Sequence, residues 1–460
     1  MSDLSKLKKS LRGDLLDAAQ ELDDRSSDFG HMVNRRPRAV VRPADAEDVA
    51  RTLRFAAENG LKVATRGEAH TQSGQALVED GLVLDLTSLN QISDLDVEAR
   101  TVRCGAGVVW RDLVAHLQPH GLIPPVLTNN LGVTVGGTVS VAGIGVASFR
   151  YGTQADQLAE LEVVTGDGQV QTCSADIEPD LFDATRAGLG QCAVITRALL
   201  RLRPAKPRVR TFFLLYDRLE AVLEDAATAM TGGRFDYVEG FCVPCPQGFR
   251  RVEGTPQPFA EWFFPLQFSV EMDEGEDPAA GEFLTGLSFL KHVHTEDRST
   301  MEFALRMEPM FALWKMSGYW ANAHPWMETI LPWQSAGAFL GKVLPALPPT
   351  VVGGGHVLLW PSRGTTSSVP LFRRPKSDLV LGFGILPGYP QEVLPQAVAR
   401  LNALSDASVA AGASRYLSGL VQFDRPRWLA HFGDVWPRLL DWKRRFDPGK
   451  ILNPGFIPFD

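Results

Sequence analysis

Between Thr134 and Gly152 the chain reads TVGGTVSVAGIGVASFRYG, five glycines in nineteen positions with small residues filling most of the others. A segment so poor in bulk supplies little core of its own. It is built to bring backbone close to something, either a neighbouring strand or a flat or phosphorylated ligand. A second stretch, ATRGEAHTQSGQAL (Ala64 to Leu77), sets one histidine, His70, among glycine and small polar residues. Neither stretch places G-x-G-x-x-G between a strand and a helix, so a Rossmann-type nicotinamide site has weak support.

His70 has four readings. It is an ordinary loop histidine, a metal ligand, a base, or a cofactor anchor. No second histidine, cysteine or carboxylate follows at a ligand spacing such as H-x-x-x-H, which counts against metal. Arg66-Gly67 and Gly74-Gln75 flank it. Free N–H groups there would cradle an anionic pyrophosphate while the imidazole attacks an electrophilic cofactor carbon.

At 460 residues and 45% apolar composition, the chain is too long for one compact core and predicts two or three domains. Its formal charge is −8, without a long basic run, so nucleic acid and anionic membranes are not expected partners. Five cysteines, an odd and small number, imply no disulfide framework. There is no apolar run of the ~18 residues that would span a bilayer. A soluble, cytoplasmic protein is expected.

The opening MSDLSKLKKSLRGDLLDAAQ reads as a charged amphipathic helix. ADAEDVARTLRFAAENG carries apolar residues at Val49, Leu53 and Ala56, acids at its start and Gly60 after its end, all helix signals. LKVATRG and LVLDLTSL read as short buried strands on either side of the His70 loop, and VVWRDLVAHLQPHG as another helix. LAELEVVTGDGQVQTC reads as a hairpin turning at Gly166-Asp167-Gly168. DLFDATRAGLGQCAVITRALLRLRP passes from helix through a glycine turn into a strand. Strands and short helices are interspersed without regular βαβ units, so the expected class is α+β. RLRPAKPRVR marks a boundary, and most aromatic and methionine clusters follow it.

The C-x-x-C pair Cys242 and Cys245 has redox spacing, yet no helix start follows it and one pair cannot complete a zinc site. It reads as structural. Glu239, in DYVEGF, is either an ordinary strand residue or a buried carboxylate that contacts substrate.

Taken in order, these segments resemble the flavin-linked oxidoreductases of the vanillyl-alcohol oxidase (PCMH) type, and within them the cytokinin dehydrogenases. TRGEAHTQSGQAL, TVGGTVSVAGIGVASFRYGTQADQ, DLFDATRAGLGQCAVITRA, DYVEGF, HPWMETILP, RYLSGL, WLAHFG and FDPGKILNPG each match a family segment in the expected sequence. The resemblance implies a two-domain PCMH-type fold. An FAD domain, 1–204, would be completed by 417–460, and an antiparallel-sheet substrate domain, 205–416, would lie over the isoalloxazine. It implies FAD attached covalently through His70. Arg66, Gly67, Glu68, Ala69, Thr71 and Gln75 of the first loop would lie against the cofactor. So would Thr134, Gly136, Gly137, Ser140 and Gly143 of the second, together with Ile195, Tyr416, Leu417 and Asn453. It further implies hydride transfer from a substrate carbon, at a C–N bond such as that of an N6-substituted adenine or other amine. Dioxygen or a quinone would serve as electron acceptor.

Departures from the family pattern bear on the substrate. Ala69 and Thr71 replace a usual glycine and serine, and Phe456 a usual glutamine. Asn129 stands where the family has an aspartate that accepts the substrate's proton, while Glu239 matches the family's substrate-site glutamate. An amide is no general base. Asn129 and Glu239 are the expected catalytic pair. The alternatives are a tailoring oxidase or dehydrogenase acting on another amine or alcohol, and a weakly catalytic flavin-binding or electron-transfer protein.

Overall fold

The computed structural model describes residues 4–459. Four sheets organise them. The first, of four strands, runs Asp14–Leu16, Ala39–Arg42, Leu82–Asp85, Val63–Arg66. The second, of five, runs Ile92–Asp96, Thr101–Gly105, Ala193–Arg201, Leu158–Thr165, Val170–Cys173. A two-stranded pair joins Leu122–Ile123 to Arg203–Pro204. The fourth has eight strands, in the order Lys291–Ser299, Arg208–Tyr216, Thr255–Met272, Tyr237–Val252, His356–Arg363, Leu379–Leu386, Met327–Pro332, Ser414–Arg415. Among the described residues no helix is long and apolar enough to cross a membrane.

The class is α+β, with two departures from the reading above. Ala39–Arg42 and Val63–Arg66 both run parallel to Leu82–Asp85, and the helix Ala46–Glu58 connects them, so one βαβ crossover is present after all. Its buried face, Val49, Ala50, Leu53 and Ala56, covers a sheet whose central strand Leu82–Asp85 is buried at every position, as are Ala39, Val40, Val41, Val63 and Ala64 of the flanking strands. The opening segment is not one helix. It forms Leu4–Ser10, then the strand Asp14–Leu16, then Ala19–Asp24. Gly13 breaks it: the Arg12 and Gly13 N–H groups donate to the buried Asp48 carboxylate, and a Cβ on Gly13 would sit 2.1 Å from the Arg42 carbonyl.

Asp45 caps Ala46–Glu58 by accepting from the Asp48 N–H. The expected hairpin is Leu158–Thr165 with Val170–Cys173, turning through Gly168 at φ +79°. The helix Pro179–Thr185 passes through a glycine turn into the strand Ala193–Arg201. The helices Leu219–Gly232, Trp333–Val343 and Leu394–Ala410 share a core with one face of the eight-stranded sheet, where Val238, Val357 and Leu359 are buried. Strand alternation turns Glu239, His356 and Leu358 to the other face. The same alternation separates Cys242, buried, from Cys245, exposed; both thiols are free.

Candidate active site

A cavity of ≈ 270 Å³ runs between the opposite face of the large sheet and the two glycine-rich segments. Arg66, Gly67, Glu68, Ala69, His70, Thr71 and Gln75 line it from the first loop. Thr134, Gly136, Gly137, Ser140 and Gly143 line it from the second, and Asn129, Ile195, Tyr416 and Asn453 from elsewhere. Two expected residues lie off its wall. Leu417 is 6% exposed and packs into the core; the turn after Ser414–Arg415 puts its neighbours Tyr416 and Ser418 on the wall instead. Glu239, 5% exposed, reaches the cavity only through Asn129.

The first loop presents its backbone. The N–H groups of Gly67, Glu68, Ala69 and His70 donate to no acceptor among the described residues, and Gln75 Nε2 is buried without a partner. Ala69 holds φ +50°, a left-handed conformation that favours glycine, the family's usual residue there. Consecutive unpaired N–H groups of this kind attract an anion, so the residues present fit the pyrophosphate of FAD. The second loop spends part of its backbone on protein neighbours. Its Val135 and Gly136 N–H groups donate to Val108 and Ala106 carbonyls, and Thr134 caps the short helix Val135–Val139. Its glycines are required by protein neighbours: a Cβ on Gly145 would meet the Leu127 carbonyl at 1.9 Å. Gly67, in turn, has Thr134 Oγ1 2.3 Å from where its Cβ would be, so the two loops interlock.

His70 is wedged in an aromatic nest. Phe29 lies 4.1 Å from its ring centroid and Trp326 5.4 Å. Burial, with the nearby His324, pushes its pKa down to about 3, so the ring is neutral and keeps a lone pair. On its far side a second, polar cavity of ≈ 530 Å³ is lined by Asp28, Arg111, Glu308 and Lys315. Asn453 ties the C-terminal segment to this end. Its Oδ1 accepts from the Thr65 N–H at 2.9 Å and its Nδ2 donates to the Gly190 carbonyl at 2.8 Å.

At the other end Asn129 Nδ2 donates to Glu239 Oε1 at 2.6 Å. Arg306 Nη2 donates to Asn129 Oδ1 at 2.6 Å, and its Nε to Glu239 Oε2 at 3.1 Å. Sequence reading missed Arg306; its signal is a lone arginine between Ala304-Leu305 and Met307 in an apolar stretch. Also missed were His356, whose buried Nδ1 has no partner, and the apolar Phe311, Trp314 and Leu358, all on the cavity wall. Glu328 is buried behind Ser418, whose hydroxyl donates to Glu328 Oε2, and burial raises its pKa to about 7.

Residues 37–174 match the family model described as FAD binding domain, and residues 264–459 the one described as cytokinin dehydrogenase 1, FAD and cytokinin binding. Cytokinin dehydrogenase 10 of Oryza sativa subsp. japonica is 31% identical over 473 residues, covering 94% of this chain and 86% of the rice protein. This chain belongs to the cytokinin dehydrogenase family of FAD-linked oxidoreductases. Cytokinin dehydrogenase 6 of the same rice is 32% identical over 475 residues, covering 94% and 88% of the two chains. An uncharacterized oxidoreductase of the fasciation locus of Rhodococcoides fascians is 32% identical over 445 residues, 95% of this chain and 98% of its relative. The family makes this chain an FAD-dependent oxidoreductase.

Proposed function

We propose that this protein oxidises a C–N bond in a small, flat amine, with FAD attached covalently through His70. The observation that carries the reading is the single cavity that joins the unpaired N–H groups of residues 67–70 to the Asn129 cluster, with His70 on its wall. When bound, FAD supplies the hydride acceptor. The chain's own residues do the rest. The first loop would hold the anionic pyrophosphate of the cofactor, neutral His70 would be its point of attachment on the flavin, and Phe311, Trp314 and Leu358 exclude water and flatten the substrate space. Asn129 and Glu239 position the substrate. The reoxidant is dioxygen or a quinone.

In this reading residues 1–204 with 417–460 serve the cofactor and 205–416 the substrate. Five free thiols are in keeping with the cytoplasm.

A second reading, a tailoring oxidase or dehydrogenase acting on another amine or on an alcohol, is favoured by one observation: Asn129, already donating to Glu239 and accepting from Arg306, cannot take the proton that the family's aspartate takes from its substrate. The test is anaerobic. Purified yellow protein is mixed with N6-substituted adenines, other amines and alcohols, and bleaching of the flavin is followed. Bleaching by amines supports the proposal; bleaching by alcohols alone replaces it with the second reading; bleaching by none refutes both.

A further inference from the structure

We infer that Asn129 recognises its ligand as a hydrogen-bond donor, so the substrate presents a lone pair there, as a ring nitrogen, carbonyl or ether oxygen does, and that Arg306 is the positioning residue that fixes this polarity. The inference deepens the function proposed above and rests on that cavity being the substrate site.

A side-chain amide ordinarily offers either end to a ligand, because a half-turn exchanges its oxygen and nitrogen. Here the neighbours remove the choice. Arg306 has only donors, so the atom facing its Nη2 at 2.6 Å is the amide oxygen. Glu239 is ion-paired with Arg306, and its carboxylate accepts, so the atom facing Oε1 at 2.6 Å is the amide nitrogen. Flipping the amide would set N–H against guanidinium and oxygen against carboxylate, two repulsive contacts in a buried place. Glu239 and Arg306 are 6% and 7% exposed at their side chains, so water does not relieve them.

Of the amide's two N–H bonds, one is spent on Glu239 and one is left. Its oxygen is polarised by a cation, which weakens it as an acceptor toward anything else and sharpens the remaining N–H as a donor. Asn129 is half-buried and lines the cavity, whereas its two partners lie behind it. The cluster as a whole is neutral: one carboxylate, one guanidinium and one amide. It therefore presents an oriented dipole and attracts no ammonium ion by net charge. His356, on the same wall with Nδ1 unpartnered, supplies a second polar point for a flat heterocycle.

The test is binding and needs no turnover. Flavin-loaded protein is titrated with quinoline, whose ring nitrogen only accepts, and with indole, whose ring N–H only donates. Both are flat and similar in size. Perturbation of the flavin spectrum and calorimetry report the affinity. One hydrogen bond made against one left unmade predicts quinoline binding roughly tenfold tighter than indole. Asn129→Asp, which leaves only acceptors, reverses the order. Asn129→Leu brings the ratio near one.

Arg306→Met frees the amide to turn and also brings the ratio near one, without changing flavin content. If that variant does not fold, Asn129→Leu and Asn129→Asp carry the test. Indole binding as tightly as quinoline, a ratio unmoved by Asn129→Leu, or no binding of either to flavin-loaded protein would overturn the inference. A preserved ratio alongside failure of every amine and alcohol to bleach the flavin would instead retain the inference and sink the proposed reaction.

Discussion

The two ends of the cavity are made differently. The end proposed for the cofactor is backbone: four consecutive N–H groups from one loop, a left-handed alanine and a glycine pressed against Thr134. The end proposed for the substrate is side chain. Glu239 and Arg306 lie 110 and 177 positions from Asn129, and the three meet only because a strand and a turn bring them together. A backbone site is a property of a short string of residues and tolerates little change. A side-chain site is a property of the tertiary fold, and one substitution there alters what is recognised while the rest stands.

The largest effect expected is at the join to the cofactor. Wild-type protein precipitated in acid keeps its yellow colour on the polypeptide, whereas His70→Ala releases all of it to the supernatant. Free flavin from the wild type breaks the covalent reading and reduces the cofactor end to a backbone cradle alone. Next comes the substrate end. Glu239→Leu leaves the buried Arg306 guanidinium without its carboxylate, which costs about 3–5 kcal/mol by denaturant unfolding, with flavin content unchanged in the folded fraction. A cost under ~1 kcal/mol would show that the cluster is not the closed network described.

Behind Ser418 on the cavity wall lies Glu328, whose burial raises its pKa from an ordinary 4.5 to about 7. The folded state therefore holds a proton that the unfolded chain has released. This acid's contribution is full below pH 4.5 and is lost as pH rises toward 7. Glu328→Gln removes that dependence. Its melting temperature relative to wild type should climb across this window and level off above it, with a ceiling of about 3 kcal/mol. A pH-independent difference would place the titration elsewhere. The smallest effect is Ala69→Gly. Relief of left-handed strain, ~1–2 kcal/mol, is offset by a lost buried methyl and a freer unfolded chain, so the net change stays within ~1 kcal/mol. A larger loss would mean that the alanine methyl itself packs against the cofactor.

The same contrast explains what was legible in the sequence. The 64–77 and 134–152 segments announced themselves because their chemistry is local: glycine, small residues and one histidine in a fixed order. The family match and the FAD-dependent class followed from such strings. Asn129 and Glu239 were visible as single letters, yet their contact and the arginine behind them were not, since nothing in the chain between them encodes register between strands. His356 and Leu358 were hidden the same way, among alternating strand residues whose inward face only the sheet decides. Gly13 deceived for the opposite reason. Its neighbours are good helix formers, and the Asp48 carboxylate that ends the helix lies 35 positions away.

Asn453 has a consequence in time. Its side chain accepts from the Thr65 N–H across 388 positions of chain, so the strand leading into the His70 loop lacks this support until residue 453 has been made. At ~5–20 residues per second, a nascent chain carries an unfinished flavin cradle for about 20–80 seconds. Stable flavin capture is then a late event in the protein's biosynthesis, after the large sheet has been laid down. Loss of residues around 453 should yield a colourless product even though both glycine-rich loops and His70 are present.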